Sequence, residues 1–186
     1  MKVLFASSEA YPFAMSGGLA DVSGALPKAL RRRLVGCRVV LPLYSCIPDE
    51  LRQKMNFICS ITVPVSWRRQ YCGIFEAHID GVIYYLLDNQ YYFKRDGLYG
   101  HYDDAERFAF FSRAVLEIIP YIGFSPDIIH CNDWQTAMIP VYLTEMYRYN
   151  PEYANIKTVF TIHNIQYQGK YGMELYDDVL GLPQGR

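Results

Sequence analysis

The segment Ser7-Ser8-Glu9-Ala10-Tyr11-Pro12-Phe13-Ala14-Met15-Ser16-Gly17-Gly18-Leu19-Ala20-Asp21-Val22 decides the fold, because a strand ends where it begins and a helix starts where it ends. Before it, Lys2-Val3-Leu4-Phe5-Ala6 is a short apolar run, the pattern of a central strand covered on both faces. After it, Leu19, Val22, Leu26 and Leu30 recur at helical spacing, with Ser16 as the expected cap. Gly17 and Gly18 then leave backbone N–H groups open at the positive end of that helix, which attracts phosphate or carboxylate. On spacing alone, turn chemistry accounts for a glycine pair between strand and helix more readily than a ligand cradle does.

The chain has 186 residues, 51% of them apolar, and a net charge of −1, enough to bury one sizeable core as a single domain. A balanced charge implies no nucleic-acid partner. Aromatic residues make up 16%, including seventeen tyrosines, which suits surfaces that stack on sugar rings as well as half-buried packing. Cys37, Cys46, Cys59, Cys72 and Cys131 are odd in number and form no Cys-x-x-Cys pair, and no leader precedes the first strand, so a reducing, cytoplasmic setting is expected. No apolar run approaches the ~20 residues of a membrane helix, and no span is expected.

Further along, Pro27 should bend the first helix, Arg31-Arg32-Arg33 place cations at its negative end, and Gly36 should close it. Cys37-Arg38-Val39-Val40-Leu41-Pro42 reads as a second buried strand, completing a parallel β-α-β unit. The dinucleotide fingerprint Gly-x-Gly-x-x-Gly is missing after the first strand, and Leu41-Pro42 stands where its acid would be. Residues 49–55 suit a short helix and residues 57–65 a strand. Residues 71–79 and 82–87 flank Asp80-Gly81, a tight-turn pair, giving an antiparallel hairpin insertion expected to wall one side of a cleft.

Residues 89–102 form a polar, aromatic connection. Asp103-Asp104 open a helix whose apolar face is Phe108, Phe111, Val115, Ile118 and Ile119. Asp127-Ile128-Ile129-His130-Cys131 is a third parallel strand, followed by a helix through Tyr149 that Asn132 or Asp133 can cap. Lys157-Thr158-Val159-Phe160-Thr161-Ile162 is a fourth, ending in His163-Asn164. Ligands collect at the carboxyl edge of open parallel sheets, so loops 8–18, 131–135 and 163–169 should meet in one crevice.

Within those loops His163 can order the chain or touch a ligand, whereas His130 reads as a buried histidine bonded to backbone. His78 and His101 have no partner at metal spacing, and no metal is expected. Asp21, one turn into the first helix, suits the helix dipole without further duty. Asp133-Trp134 combines a carboxylate for sugar hydroxyls with a ring for a pyranose face, although capping and packing account for the pair too. No Gly-x-Ser-x-Gly elbow is present.

Six blocks, in order, resemble bacterial glycogen synthases and plant starch synthases. They are the opening segment, Val39-Val40-Leu41-Pro42-Leu43-Tyr44, Asp96-Gly97-Leu98-Tyr99-Gly100, residues 103–112, Asp127 through Trp134, and Thr161-Ile162-His163-Asn164-Ile165 with Tyr167-Gln168-Gly169. The resemblance implies an α/β fold with a Rossmann-like, mostly parallel sheet and helices on both faces, forming one half of a two-domain GT-B architecture. It further implies transfer of glucose from ADP-glucose to the non-reducing end of an α-1,4-glucan, with retention and without metal or cofactor. The family's glycine-loop contacts fall on Gly17 and Gly18, its loop-helix acid on Asp21, its sugar-side tyrosine on Tyr99 and its glucose-contacting histidine on His163, next to Asn164. Its Asp-Trp pair is Asp133-Trp134.

Two departures stand out. The family reads Lys-Thr-Gly-Gly-Leu where this chain has Met15-Ser16-Gly17-Gly18-Leu19, so the donor-side cation is replaced by a thioether. The nucleotide-binding second domain has no counterpart within 186 residues, and the first domain itself looks incomplete, so the isolated chain is expected to be inactive. The alternative is a non-catalytic glucan-binding module derived from such an enzyme; a nucleotide-dependent oxidoreductase is disfavoured by the missing fingerprint.

Overall fold

The computed structural model describes residues 1–182. Seven strands form one sheet in the order β3-β4-β5-β2-β1-β6-β7. The strands are β1 (Lys2–Ala6), β2 (Gly36–Pro42), β3 (Met55–Val65), β4 (Arg68–Ile79), β5 (Val82–Asp88), β6 (Ile128–Asn132) and β7 (Lys157–Thr161). β1 pairs in parallel with β2 and β6, β2 with β5, and β6 with β7, while β3–β4 and β4–β5 are antiparallel. The mixed, mostly parallel sheet expected from the apolar runs is therefore the one that forms. The chain leaves β1 toward β2, then returns to β1's other side as β6, which makes the β1/β6 border the topological switch point.

The core sits on the central strands. Leu4, Phe5, Val39, Val40, Leu41, Leu86 and Ile129 are fully buried, as continuous apolar strands covered on both faces require. Each such side chain contributes roughly 1.5–3 kcal/mol of burial. Helix α1 (Gly18–Arg32) packs on β2 and β5, and carries Pro27 within it. The short helices α2 (Asp49–Arg52) and α3 (Gln90–Phe93) lead to α4 (Asp104–Glu117), whose Phe108, Phe111 and Val115 are buried as expected. Beyond β6 the expected single helix is subdivided into a 3₁₀ turn at Trp134–Thr136, α5 (Met138–Tyr142) and a π-helical turn at Leu143–Tyr147.

Several local expectations change. Gly36 does not close α1; it already belongs to β2, and the left-handed position is taken by Leu34, exposed on the surface. The Asp80-Gly81 turn forms, with φ of 50° and 77°, the conformation that favours this pair. Yet this hairpin, β4–β5, does not wall the cleft: β6 and β7 lie beyond β1 on the other side of the sheet, and no residue of β4 or β5 lines the cleft. The turn at the other end of β4, between β3 and β4, fastens Asp177 and Asp178. Ser66 Oγ donates to the Asp177 carbonyl at 2.8 Å, Trp67 Nε1 to Asp178 Oδ1 at 2.9 Å, and Arg68 bridges Asp178 and Glu106 at 2.9 and 3.2 Å. Among the described residues β7, parallel as expected, is an edge of the sheet, and Val159 and Phe160 are exposed.

Candidate active site

At the carboxyl end of β1 the apolar strand gives way to Ser7, Ser8 and Glu9, all buried. The Glu9 carboxylate organises the glycine loop: Oε2 accepts from the backbone N–H of Ser16 (2.6 Å) and Gly17 (3.1 Å), and Oε1 from Ser16 Oγ (2.9 Å) and Tyr99 Oη (2.8 Å). One of the two N–H groups that the sequence left open to a ligand, that of Gly17, is thus taken internally, and Ser16 does not cap α1, whose N-cap is Gly17 without a side-chain bond. Gly18 and Leu19, the first two helical residues, still lie ahead of any carbonyl that the helix could offer their N–H groups.

Neither Gly17 nor Gly18 has a left-handed backbone, and a Cβ built on either would meet nothing within 4 Å. Turn chemistry therefore does not require glycine at these two positions. What the pair supplies is bare backbone facing open space, the feature that lets a ligand approach closely.

The ends of β6 and β7 are laced together by two adjacent side chains. Asn132, fully buried, donates through Nδ2 to the carbonyls of Ala6 (3.0 Å) and His130 (3.1 Å), while its Oδ1 meets His163 Nε2 at 2.9 Å. Asp133 Oδ1 accepts the His163 backbone N–H at 2.7 Å, and the Asp133 N–H donates to the Thr161 carbonyl at 2.9 Å. Neither residue caps the following helix by its side chain, as the sequence had suggested. His130 is partly buried against Phe5 and bonds Thr161 Oγ1 at 2.7 Å, a side chain rather than backbone. Burial, and then the neighbouring His163, hold it below the usual imidazole range.

Trp134 anchors the loop after β7. Its ring lies edge-on to Phe108 at 5.2 Å and tilted against Tyr171 at 5.8 Å, while the Gly169 backbone presses on the indole so closely that a Cβ there would overlap it. That contact occupies part of the ring the sequence reserved for a pyranose. Asn164 forms an Asx turn, its Oδ1 accepting from the Gln166 N–H at 3.0 Å. The Tyr99 hydroxyl is held well above the usual phenol range, first by burial and then by Tyr44 and Glu9, so it keeps its proton and donates it to Glu9. Ser8 Oγ, 2.7 Å away, then donates to the Tyr99 oxygen. Buried Arg107 pairs with Asp104 at 2.6 Å and donates to the Leu98 carbonyl, and Asp104 Oδ2 accepts from the Gly100 N–H at 2.8 Å, which fixes the turn that carries Tyr99.

These loops border one cleft of ≈ 1140 Å³ lined by Glu9, Gly17, Gly18, Tyr99, Asp133, Trp134, His163 and Asn164 among others. Asp21 is not among them: it lies in a separate shallow hollow with Tyr11, Gly24 and Lys28. Met15 is 57% exposed beside the loop but does not line the cleft. Glu9 and Arg107 were not singled out in the sequence, and Asn132 and Asp104 only as helix-start residues. The one signal for Glu9 was an acid placed directly after an apolar strand and two serines. Among the described residues no group of three or more His, Cys, Asp or Glu is arranged to hold a metal, and no helix is long and apolar enough to cross a membrane.

A parallel sheet whose switch-point strand ends in a glycine loop, facing polar loops from the next two strands, defines a Rossmann-like ligand-binding domain of the GT-B type. The chain belongs to the starch synthase catalytic domain family, whose model matches residues 2–186. It is 59% identical over 182 residues to glycogen synthases of Geobacillus thermodenitrificans and Geobacillus stearothermophilus, and 56% identical to that of Bacillus cereus. Each match covers 98% of this chain and 38% of the relative, so the chain spans well under half of their length. The catalytic domain of starch synthase IV from Arabidopsis thaliana, bound to ADP and acarbose, superimposes with a TM-score of 0.83 at 32% identity, covering 90% of this chain and 34% of that one.

Proposed function

We propose that this cleft is the amino-terminal half of a glycogen synthase site that transfers glucose from ADP-glucose to the non-reducing end of an α-1,4-glucan with retention, in the cytoplasm. The observation that carries the reading is the open space over Gly17 and Gly18, where the fold itself makes no demand for glycine. A diphosphate-sugar lying there would meet bare backbone and the positive end of α1. His163, Asn164 and Asp133 would orient the glucosyl unit, with Trp134 and Tyr99 holding the surrounding loops. Glu9 acts through the glycine loop rather than on the sugar. Asp21 lies apart from this half of the cleft, in a separate hollow. The likeness to glycogen synthases and to a starch synthase bound to ADP and acarbose supports the same chemistry.

The remaining half of the donor site would come from a second, facing domain, so the 186-residue chain alone should put no label from ADP-glucose into glycogen. The discriminating variants are Gly17→Ala and Gly18→Ala in a protein that carries both domains. Each should leave the melting temperature unchanged or slightly raised, because alanine costs less backbone entropy than glycine by roughly 0.5–1 kcal/mol. Each should weaken ADP-glucose binding at least tenfold. Unchanged binding, or a loss of binding that merely tracks a loss of stability, refutes the assignment.

A further inference from the structure

We propose that Asn132 is a positioning residue that fixes His163 as its Nε2–H tautomer, so that Nδ1 faces the cleft as a hydrogen-bond acceptor for a ligand hydroxyl. The orientation of the Asn132 amide is settled by its surroundings. Its Nδ2 lies 3.0 Å from the Ala6 carbonyl and 3.1 Å from the His130 carbonyl, both acceptors only. Flipping the amide would set a third oxygen against these two at a fully buried position. Oδ1 therefore points at His163 Nε2, 2.9 Å away, and an amide oxygen can only accept. Nε2 must carry the proton, and in neutral imidazole that leaves Nδ1 bare.

The rest of the surroundings agree. The other bond made by His163 is from its backbone N–H to Asp133 Oδ1 at 2.7 Å, which sets where the residue sits without touching the ring. His130, the other imidazole nearby, is engaged with Thr161 Oγ1. Nδ1 bonds to nothing among the described residues, and His163 lines the cleft. Asn132 reaches three strands at once: it sits at the end of β6, ties to the last residue of β1, and holds the residue two positions beyond the end of β7. An acceptor at Nδ1 selects ligands that present a hydroxyl proton. The ligand half of this statement rests on the sugar reading of the cleft, whereas the tautomer does not.

The test is ¹⁵N–¹H correlation of the imidazole nitrogens in the 186-residue chain near neutral pH, for wild type and Asn132→Ser, with methyl α-glucoside as the added probe. The wild type should show a protonated Nε2 and a bare, pyridine-type Nδ1, and the glucoside should move Nδ1 while leaving Nε2 in place. Asn132→Ser, with its amide spectrum showing a retained fold, should give a mixture of tautomers. A proton on Nδ1 in the wild type overturns the proposal without recourse to any variant. A single Nε2–H tautomer in folded Asn132→Ser overturns the role of Asn132. A bare Nδ1 that ignores the glucoside overturns the ligand half, and leaves the tautomer standing apart from the sugar reading.

Discussion

Asp133 adopts φ 56° and ψ −179°, bordering a region of backbone space open essentially to glycine, at a cost of order 1–3 kcal/mol. Glycine would relieve that strain, so an aspartate there is explained by its carboxylate, which holds the His163 N–H at 2.7 Å. Losing that charge-assisted bond costs about 1.5–3 kcal/mol. The two effects oppose each other in Asp133→Gly, and the melting temperature should move by no more than about 2–4 °C. Amide exchange at His163 should nevertheless accelerate sharply, since its acceptor is gone. Slow exchange in that variant would show that something other than Asp133 protects the loop. Met15 stands where the resemblance to glycogen and starch synthases implies a lysine. At 57% exposure a lysine there would be partly screened, which puts its gain at the lower end for a charge-assisted bond, about 1.5 kcal/mol. If the proposed second domain and donor are correct, Met15→Lys in a protein that carries both domains should raise kcat/KM for ADP-glucose about tenfold, and a change within twofold would remove this position from the donor site.

Among the elements, the loop after β7 depends on a backbone-to-ring contact rather than on a side chain. Gly169 has φ 55° and lies against the Trp134 indole with no room for a Cβ. Gly169→Ala forces both a left-handed alanine, costing about 1–2 kcal/mol, and displacement of the indole. The loop carrying Asn164 and Gln166 should detach while the sheet persists, because Leu4, Phe5, Val39 and Val40 are untouched by the change. Tryptophan emission should shift to the red with little loss of strand signal in circular dichroism. An unshifted spectrum would mean that Trp134 is held by Phe108 alone.

At the scale of the whole sheet, β3 and β7 are the edges among the described residues, and the β7 edge exposes Val159 and Phe160, followed by Ile162. An unpaired edge with apolar side chains invites strand addition. The 186-residue chain should associate with rising concentration in light scattering, and Phe160→Lys should suppress this without lowering the melting temperature, since Phe160 is already exposed. Association that persists in Phe160→Lys would place the contact elsewhere.

The sequence by itself determined the parallel sheet, the Asp80-Gly81 hairpin and the three loops that meet in the cleft, because each rests on local chemistry: apolar runs, a turn pair, and polar residues after strand ends. It also carried the family, through six blocks in order. Tertiary structure alone decided which groups those loops contain in working form. Glu9 and Asn132 act on partners distant in the chain, Glu9 across 90 residues to Tyr99 and Asn132 across 126 to Ala6, and no local pattern encodes such bonds. For the same reason Gly36 proved to be strand, Leu34 took the left-handed turn, β7 became an exposed edge, and the hairpin went to the far side of the sheet. Strand order is set by which apolar faces pack, and packing is a property of the whole chain rather than of any stretch within it.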